Sequence, residues 1–342
     1  MTMSVHTFEL KTQLSSEEAK AVRDALYTYA KGKKDMCYPQ NNRLYFNRWC
    51  DEGVRFFLES SASVPGSTLH LVVTPAKVLG SNDAAALFVP STESVNKIYI
   101  AIEEILSWLT IERYSYQMQL SRLDLCRNVG LQDQRYIDAY IRLLKKGSSA
   151  TGWKVQSYPE GDERDAHSFR RISRYYQVTV YDKLYQIKRE GYHTDYDGTR
   201  RILRVEVSIL RPGIQEELSR CEANIDNCWP NQLLELAANG IFTMRRVLRR
   251  LVSDMPYYTL SAIREYLGTT DISNAKRKNL LDFLEKINRY DLLDKKRIKE
   301  KFENGKKRLK QLKKLGINPV TIEARAGIPY LPSLEQLIAA GL

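Results

Sequence analysis

A phenol and an ammonium stand two residues apart in Gln177-Val178-Thr179-Val180-Tyr181-Asp182-Lys183-Leu184-Tyr185. Side chains alternate between the faces of a strand. Val178 and Val180 are therefore expected to face a core, with Thr179, Tyr181 and Lys183 on the opposite face. A phenol with an ordinary pKa near 10 attacks at neutral pH only with a cation or base close by. Lys183 is the nearest such group in sequence. Tyr185 continues the alternation and is a second candidate nucleophile, and Tyr175 and Tyr176 lie just upstream.

Three further stretches carry one apolar and one polar face. In Arg201–Ile209, Val205, Val207 and Ile209 oppose Arg204, Glu206 and Ser208; in Ser121–Cys126, Leu123 and Leu125 oppose Arg122 and Asp124; in Leu69–Val73, His70 falls on the face opposite Leu69, Leu71 and Val73. If these strands are neighbours, His70, Asp124 and Glu206 meet around a divalent cation, with Arg122, Arg204 and Lys183 at its edge. Hard oxygen ligands with one imidazole suit Mg²⁺ or Mn²⁺ better than zinc. Such an ion would neutralise charge in phosphoryl transfer. The same pattern also fits plain cross-strand ion pairs on a half-exposed antiparallel sheet.

The segments that must position these residues are legible by period and punctuation. Residues 5 to 75 read as an antiparallel meander of strands at His6–Leu14, Leu44–Trp49, Val54–Glu59 and Leu69–Thr74, with a hairpin turn at Asp51-Glu52-Gly53. Ser91 or Thr92 caps a helix through Leu106, Gln117–Cys126 is a strand and Asp133–Lys146 a second helix. Thr151–Ser173 is polar and reads as a hairpin or loop. After the strand Arg201–Leu210 the pattern turns helical, through Asn274–Tyr290 and a long basic helix Lys295–Leu315 stopped by Gly316 and Pro319. No internal repeat is visible. The expected class is α+β: a central antiparallel sheet with helices on one face, followed by a basic all-helical C-terminal region. The expected division is an α+β, catalytic-looking portion at 1–250 and a basic all-helical portion at 251–342.

Charge points to the partner. The 342 residues carry a formal charge of +12, and a polyanion such as nucleic acid is the common counterpart. Residues 271–314 hold sixteen Lys and Arg against seven Asp and Glu, a net of +9. Arg245, Arg246, Arg249 and Arg250 crowd a short helix before them, and Lys306, Lys307 and Lys310 lie in the long basic one. Phosphate-backbone contact is expected from these. The five cysteines are odd in number and form no CxxC pair, so free thiols are expected and zinc is not. No apolar run reaches eighteen residues and Met1–Leu14 lacks a signal-peptide layout, so a cytoplasmic protein is expected.

Four of these stretches fall in a familiar order. Thr74-Pro75-Ala76-Lys77-Val78-Leu79-Gly80, Ser121-Arg122-Leu123-Asp124, Val180-Tyr181-Asp182-Lys183 and Leu203-Arg204-Val205-Glu206-Val207 together resemble the gene II replication endonucleases of filamentous phages. That family is related to the HUH rolling-circle initiators. More distantly, the chain is similar to plasmid rolling-circle initiators and conjugative relaxases. The resemblance spans about Leu69 to Leu210. It implies that Tyr181 nicks single-stranded origin DNA through a 5′-phosphotyrosyl intermediate, with Lys183 as companion base or phosphate contact. It also implies that Asp124, Glu206 and, less closely, His70 hold Mg²⁺ or Mn²⁺, with Lys77, Arg122 and Arg204 touching DNA. Single-stranded and duplex origin DNA and a host replication polymerase and helicase are the implied partners. The chain departs from the HUH pattern in lacking a His-hydrophobic-His triplet, since His70-Leu71-Val72 has only its first member. Competing classes are a DNA-binding repressor using the basic helices alone and a nuclease whose attacking group is water.

Overall fold

The structure, a computed structural model, describes residues 2–61, 64–112, 114–147, 150–221, 227–290, 298 and 302–340. Among them, ten strands form one antiparallel sheet. They are β1 (Ser4–Leu14), β2 (Cys37–Gln40), β3 (Arg43–Phe46), β4 (Val54–Ser61), β5 (Val64–Val73), β6 (Gln119–Leu131), β7 (Lys154–Val155), β8 (Ser168–Ile172), β9 (Tyr176–Asp182) and β10 (Arg201–Leu210). Their spatial order is β2-β3-β4-β5-β1-β6-β10-β9-β8-β7. The four strands of the expected meander are β1, β3, β4 and β5, all in this sheet; β2 was not expected, and β1 lies on the inner side of β5 and not beside β3.

One sheet face is the core. Leu10, Leu71, Leu123, Val207 and Val178 are fully buried there with their strand neighbours, each worth roughly 1.5–3 kcal/mol of burial. Helices α1 (Ser16–Ala30), α3 (Thr92–Trp108) and α4 (Gln134–Gly147) bring apolar residues to the same cluster. The first was not expected, because residues 5–75 read as strands throughout. Its signal is nonetheless local: Ser15 accepts from the Glu18 amide while Glu18 accepts from the Ser15 amide, a reciprocal cap that starts a helix.

The opposite face is polar and largely open. The corner over β10 and β9 is roofed by α5 (Lys183–Glu190) and the Ala84–Ala85 segment, where Ala85, Ile187 and Ile202 form a small separate cluster. Lys183 was expected to continue the strand. Instead Asp182 caps α5, its carboxylate accepting from the Tyr185 amide at 3.0 Å, so the chain turns into a helix immediately after β9. The polar stretch 151–173 forms the expected hairpin, β7 with β8.

The C-terminal part is helical as expected, through α6 (Arg211–Leu218), α7 (Trp229–Ala238), α8 (Gly240–Leu251), α9 (Leu260–Thr269) and α10 (Asn274–Tyr290), but not all-helical: Tyr257–Tyr258 pairs antiparallel with Tyr330–Leu331 in a small second sheet. A basic helix follows at Gly305–Lys314 and ends with Gly316 at φ +69°, the left-handed conformation that glycine adopts without strain. The earlier part of the expected Lys295–Leu315 helix, at 295–297 and 299–301, lies outside the described residues. A last helix, Leu334–Ala340, is capped by Ser333 and packs back toward α8; just before it, Tyr140 of α4 donates to the Pro332 carbonyl at 2.9 Å. Among the described residues, no helix is long and apolar enough to cross a membrane.

Candidate active site

Tyr181 lies on the polar face, and its hydroxyl donates to Glu206 Oε1 at 2.7 Å from the adjacent strand. Burial and the Glu206 carboxylate push the phenol well above its ordinary value, while the buried Arg204 pulls the other way. The proton is thus held firmly until an acceptor takes it, and Glu206 is the acceptor in contact.

A β-bulge completes the site. Val5 pairs with Leu125 and Phe8 with Leu123, so β1 has one residue more than β6 over this stretch and both His6 and Thr7 face the polar side near Asp124. Thr7 donates its hydroxyl to Asp124 Oδ2, and His6 Nε2 stands 3.8 Å from Glu206 Oε1. Burial holds the His6 imidazole below its ordinary value, partly offset by Glu206. Neither residue was singled out from sequence, because the bulge breaks the period of two on which strand faces are read.

Arg122 grips Asp124 with two hydrogen bonds of 2.7 Å, through Nε and Nη2. These residues line a pocket of about 260 Å³ with Tyr181, Glu206, His6 and Thr7. Its rim carries Arg55, Arg164, Arg170 and Arg189, with Tyr158 between two of them: the Arg164 and Arg170 guanidinium groups sit 4.3 and 5.0 Å from that ring. A pocket of this size ringed by guanidinium groups suits a phosphodiester. None of the four rim arginines was singled out from sequence. They come from β4, β8, α5 and the 3₁₀ turn Glu163–Asp165, where Arg164 also pairs with Asp162, and no one stretch of the chain carries the cluster.

His70 does not join this site. Its Nδ1 is 2.7 Å from Glu9 Oε1 and its Nε2 3.4 Å from Glu59 Oε2, and its ring stacks on Phe57 at 4.4 Å. The pairing explains the displacement: β1 separates β5 from β6, so Glu9 is the carboxylate next to His70 and Asp124 is not. Among the described residues, no three His, Cys, Asp or Glu side chains are arranged to hold a metal ion. The donor types at the pocket suit Mg²⁺ or Mn²⁺, but both Asp124 oxygens are already engaged by Arg122 and Thr7. As arranged, the set does not fit an ion.

Arg204 corrects another expectation. It is fully buried, donating from Nε to Asn128 Oδ1 at 2.7 Å and from Nη2 to the Ala85 carbonyl at 2.8 Å. It cannot reach a DNA backbone from there. Its charge acts at short range, on Tyr181 and on Lys183. Lys183 donates to Gln186 at 2.9 Å and lies 6.0 Å from the Tyr181 ring; burial, then Arg204, lower it to about 8. Tyr185 lines the same pocket, but its hydroxyl donates to Glu163 Oε2 at 3.3 Å and its ring stacks on His167 at 3.7 Å.

The basic residues divide in two. Arg245 and Arg249 of α8 share the Glu335 carboxylate, at 2.8 and 2.7 Å from their Nε atoms, and Arg246 pairs with Glu217. These pairs fasten neighbouring helices and cancel part of the patch. Lys306, Lys307 and Lys310 project from the Gly305–Lys314 helix and are exposed, as is Lys77 of α2 (Pro75–Val78).

No family model and no curated protein matches the chain. Among solved structures, the chain is similar to a rolling circle replication initiator protein from Geobacillus stearothermophilus, with 12% sequence identity and a TM-score of 0.33 over 73% of this chain and 85% of that one.

Proposed function

We propose that the protein is a site-specific DNA nicking and joining enzyme that starts rolling-circle replication, with Tyr181 as nucleophile. The observation that carries this reading is the Tyr181–Glu206 hydrogen bond at the floor of an arginine-rimmed pocket on an open sheet face. Tyr181 Oη attacks the phosphorus of a bound phosphodiester as Glu206 accepts its proton. The bond from phosphorus to the 3′ oxygen breaks, and that oxygen takes up a proton to leave as a free 3′-OH. The 5′-phosphotyrosyl link keeps the ester, so the strand can be rejoined without an external energy source. Arg122 and the rim arginines balance charge on the phosphoryl oxygens, which is where catalysis of this transfer mainly comes from.

A divalent ion is part of the reading but not of these steps. Glu206, His6 and Asp124 would hold it once Arg122 released Asp124, and it would supply further neutralisation of the phosphate. The finer assignment to the filamentous-phage gene II type, over a plasmid initiator or relaxase, is supported by the order of the four sequence motifs. The exposed lysines of Gly305–Lys314 are assigned to duplex backbone beside the origin.

The test is covalent capture. Wild-type protein incubated with single-stranded origin-bearing DNA and Mn²⁺ is expected to yield a protein–DNA adduct that Tyr181→Phe abolishes. Binding without cleavage would favour a repressor, and cleavage without adduct a hydrolase.

A further inference from the structure

The sheet is built twice. The run β1–α1–β2–β3–β4–β5 is repeated strand for strand by β6–α4–β7–β8–β9–β10, with α5 added between β9 and β10, and their strands lie as β2-β3-β4-β5-β1 and β6-β10-β9-β8-β7 about the central β1·β6 pair. The registers agree residue by residue. Phe8 pairs with Val73 and with Leu123, and Leu123 pairs with Ile209; exchanging the halves carries Phe8 onto Leu123 and Val73 onto Ile209. Counting from there, His70 stands where Glu206 does, Glu9 where Asp124 does and Glu59 where Tyr181 does. The Glu9–His70–Glu59 cluster is therefore the first half's counterpart of the active site, without a nucleophile.

What the first half has instead is a row of rings. His70 stacks on Phe57 at 4.4 Å, Phe57 meets Tyr45 at 5.4 Å and Tyr45 stacks on Tyr38 at 5.4 Å, crossing β5, β4, β3 and β2 on the open face. In the second half the corresponding row is Glu206, Thr179 and Arg170. The ring row ends at Tyr38 on the edge strand, which is 38% exposed. Arg43 lies along one side, its guanidinium 4.7 Å from the Phe57 ring and paired with Glu59 at 2.9 Å, so among the described residues Arg55 is the unshared charge beside the rings. Arg55, two residues from Phe57 on the same face, is also a wall of the catalytic pocket. The row and the pocket are thus continuous.

We infer that the two halves act on one DNA strand in different ways. The second half cuts it, and the first holds the single strand that runs from the pocket, its bases extending the stack at Tyr45 and Tyr38. The occupant follows from the continuity through Arg55 and from the guanidinium groups flanking the rings, since successive bases on aromatic side chains beside a cationic backbone track are how single strands are held without sequence preference. This rests on the DNA-nicking reading and names the path of its substrate.

Binding and cleavage are tested apart. Fluorescein-labelled oligodeoxythymidylates of about 6 and about 20 nucleotides report pocket-only and pocket-plus-platform binding. Tyr38→Ala with Tyr45→Ala is expected to weaken binding of the longer probe about 10-fold or more and leave the shorter one unchanged. Tyr38→Phe with Tyr45→Phe, which keeps both rings, is expected to bind both as wild type does. An unchanged Kd for the longer probe in the alanine pair, or an equal loss on both probes, would overturn the inference. Adduct formation by wild type is read separately, so a chain that holds the strand but never links to it defeats only the catalytic reading.

Discussion

Tyr181 and Glu206 sit diagonally across β9 and β10, hydroxyl to carboxylate at 2.7 Å, with the phenol's own strand neighbour, Arg204, buried beside them. A nucleophile whose proton is held this firmly depends on its acceptor. Glu206→Gln keeps a hydrogen-bond acceptor but cannot take the proton. It is expected to lower the rate of adduct formation by roughly 10²–10⁴, the usual contribution of a general base, with little change in thermal stability. Tyr185→Phe is expected to leave adduct yield at the wild-type level, because the Tyr185 hydroxyl donates to Glu163 while Glu206 accepts from Tyr181. Gel-resolved adduct in single-turnover time courses checks both.

Lys183 gives a stability prediction with a definite sign. Its folded-state value is lowered from 10.5 to about 8, with burial as the larger cause and Arg204 the next. Between those values the unfolded chain binds the extra proton and the folded one does not, so stability rises as pH goes from about 8 toward 10.5. Below about 8 the buried ammonium is charged in both states and its full cost applies, on the order of a few kcal/mol. Lys183→Met is therefore expected to be more stable than wild type at about pH 7, and the difference is expected to shrink by about pH 10. Urea unfolding at the two pH values measures it.

Much of this was readable from the chain. Alternation put Tyr181, Glu206, Asp124 and Arg122 each on the polar face of its own strand, and β6, β10 and β9 are neighbours, the condition on which those faces meet. What it missed has physical causes. His6 is brought in by a bulge, an extra residue that no periodic pattern encodes. His70 shares the open face with the others but is kept from them by β1, and strand order is not written in strand composition. Lys183 reads as strand until the capping power of Asp182 is weighed. Arg204 looks surface-bound because the groups that bury it, Asn128 and the Ala85 carbonyl, come from 76 and 119 residues away.

Two kinds of cation are expected to respond in opposite ways. Arg204→Met leaves the Asn128 and Ala85 oxygens without their buried donor, about 1–3 kcal/mol for each unsatisfied group. It is expected to lower the unfolding midpoint sharply and leave the salt dependence of DNA binding intact. Replacing Lys306, Lys307 and Lys310 by Gln is expected to do the reverse. The midpoint stays put, and the slope of log K against log salt on duplex DNA falls by about 2–3, close to one unit per lost phosphate contact. A salt titration with an unchanged slope would remove that helix from the DNA interface.

The Arg122–Asp124 pair governs what an added ion can do. Both Asp124 oxygens accept from one guanidinium at 2.7 Å, and the carboxylate is 1% exposed, so an ion can recruit Asp124 only by opening that pair. Losing such charge-assisted bonds costs about 1–3 kcal/mol, equivalent to roughly 10-fold to 100-fold in affinity. Arg122→Gln is accordingly expected to bind Mn²⁺ about 10-fold or more tightly than wild type in a paramagnetic titration. The same variant is expected to lose adduct yield, because the guanidinium that balances the phosphoryl oxygens is gone. Equal Mn²⁺ affinity in the two proteins would take Asp124 out of the ligand set, and wild-type adduct formed in excess chelator would show that Arg122 and the rim arginines carry the charge without an ion.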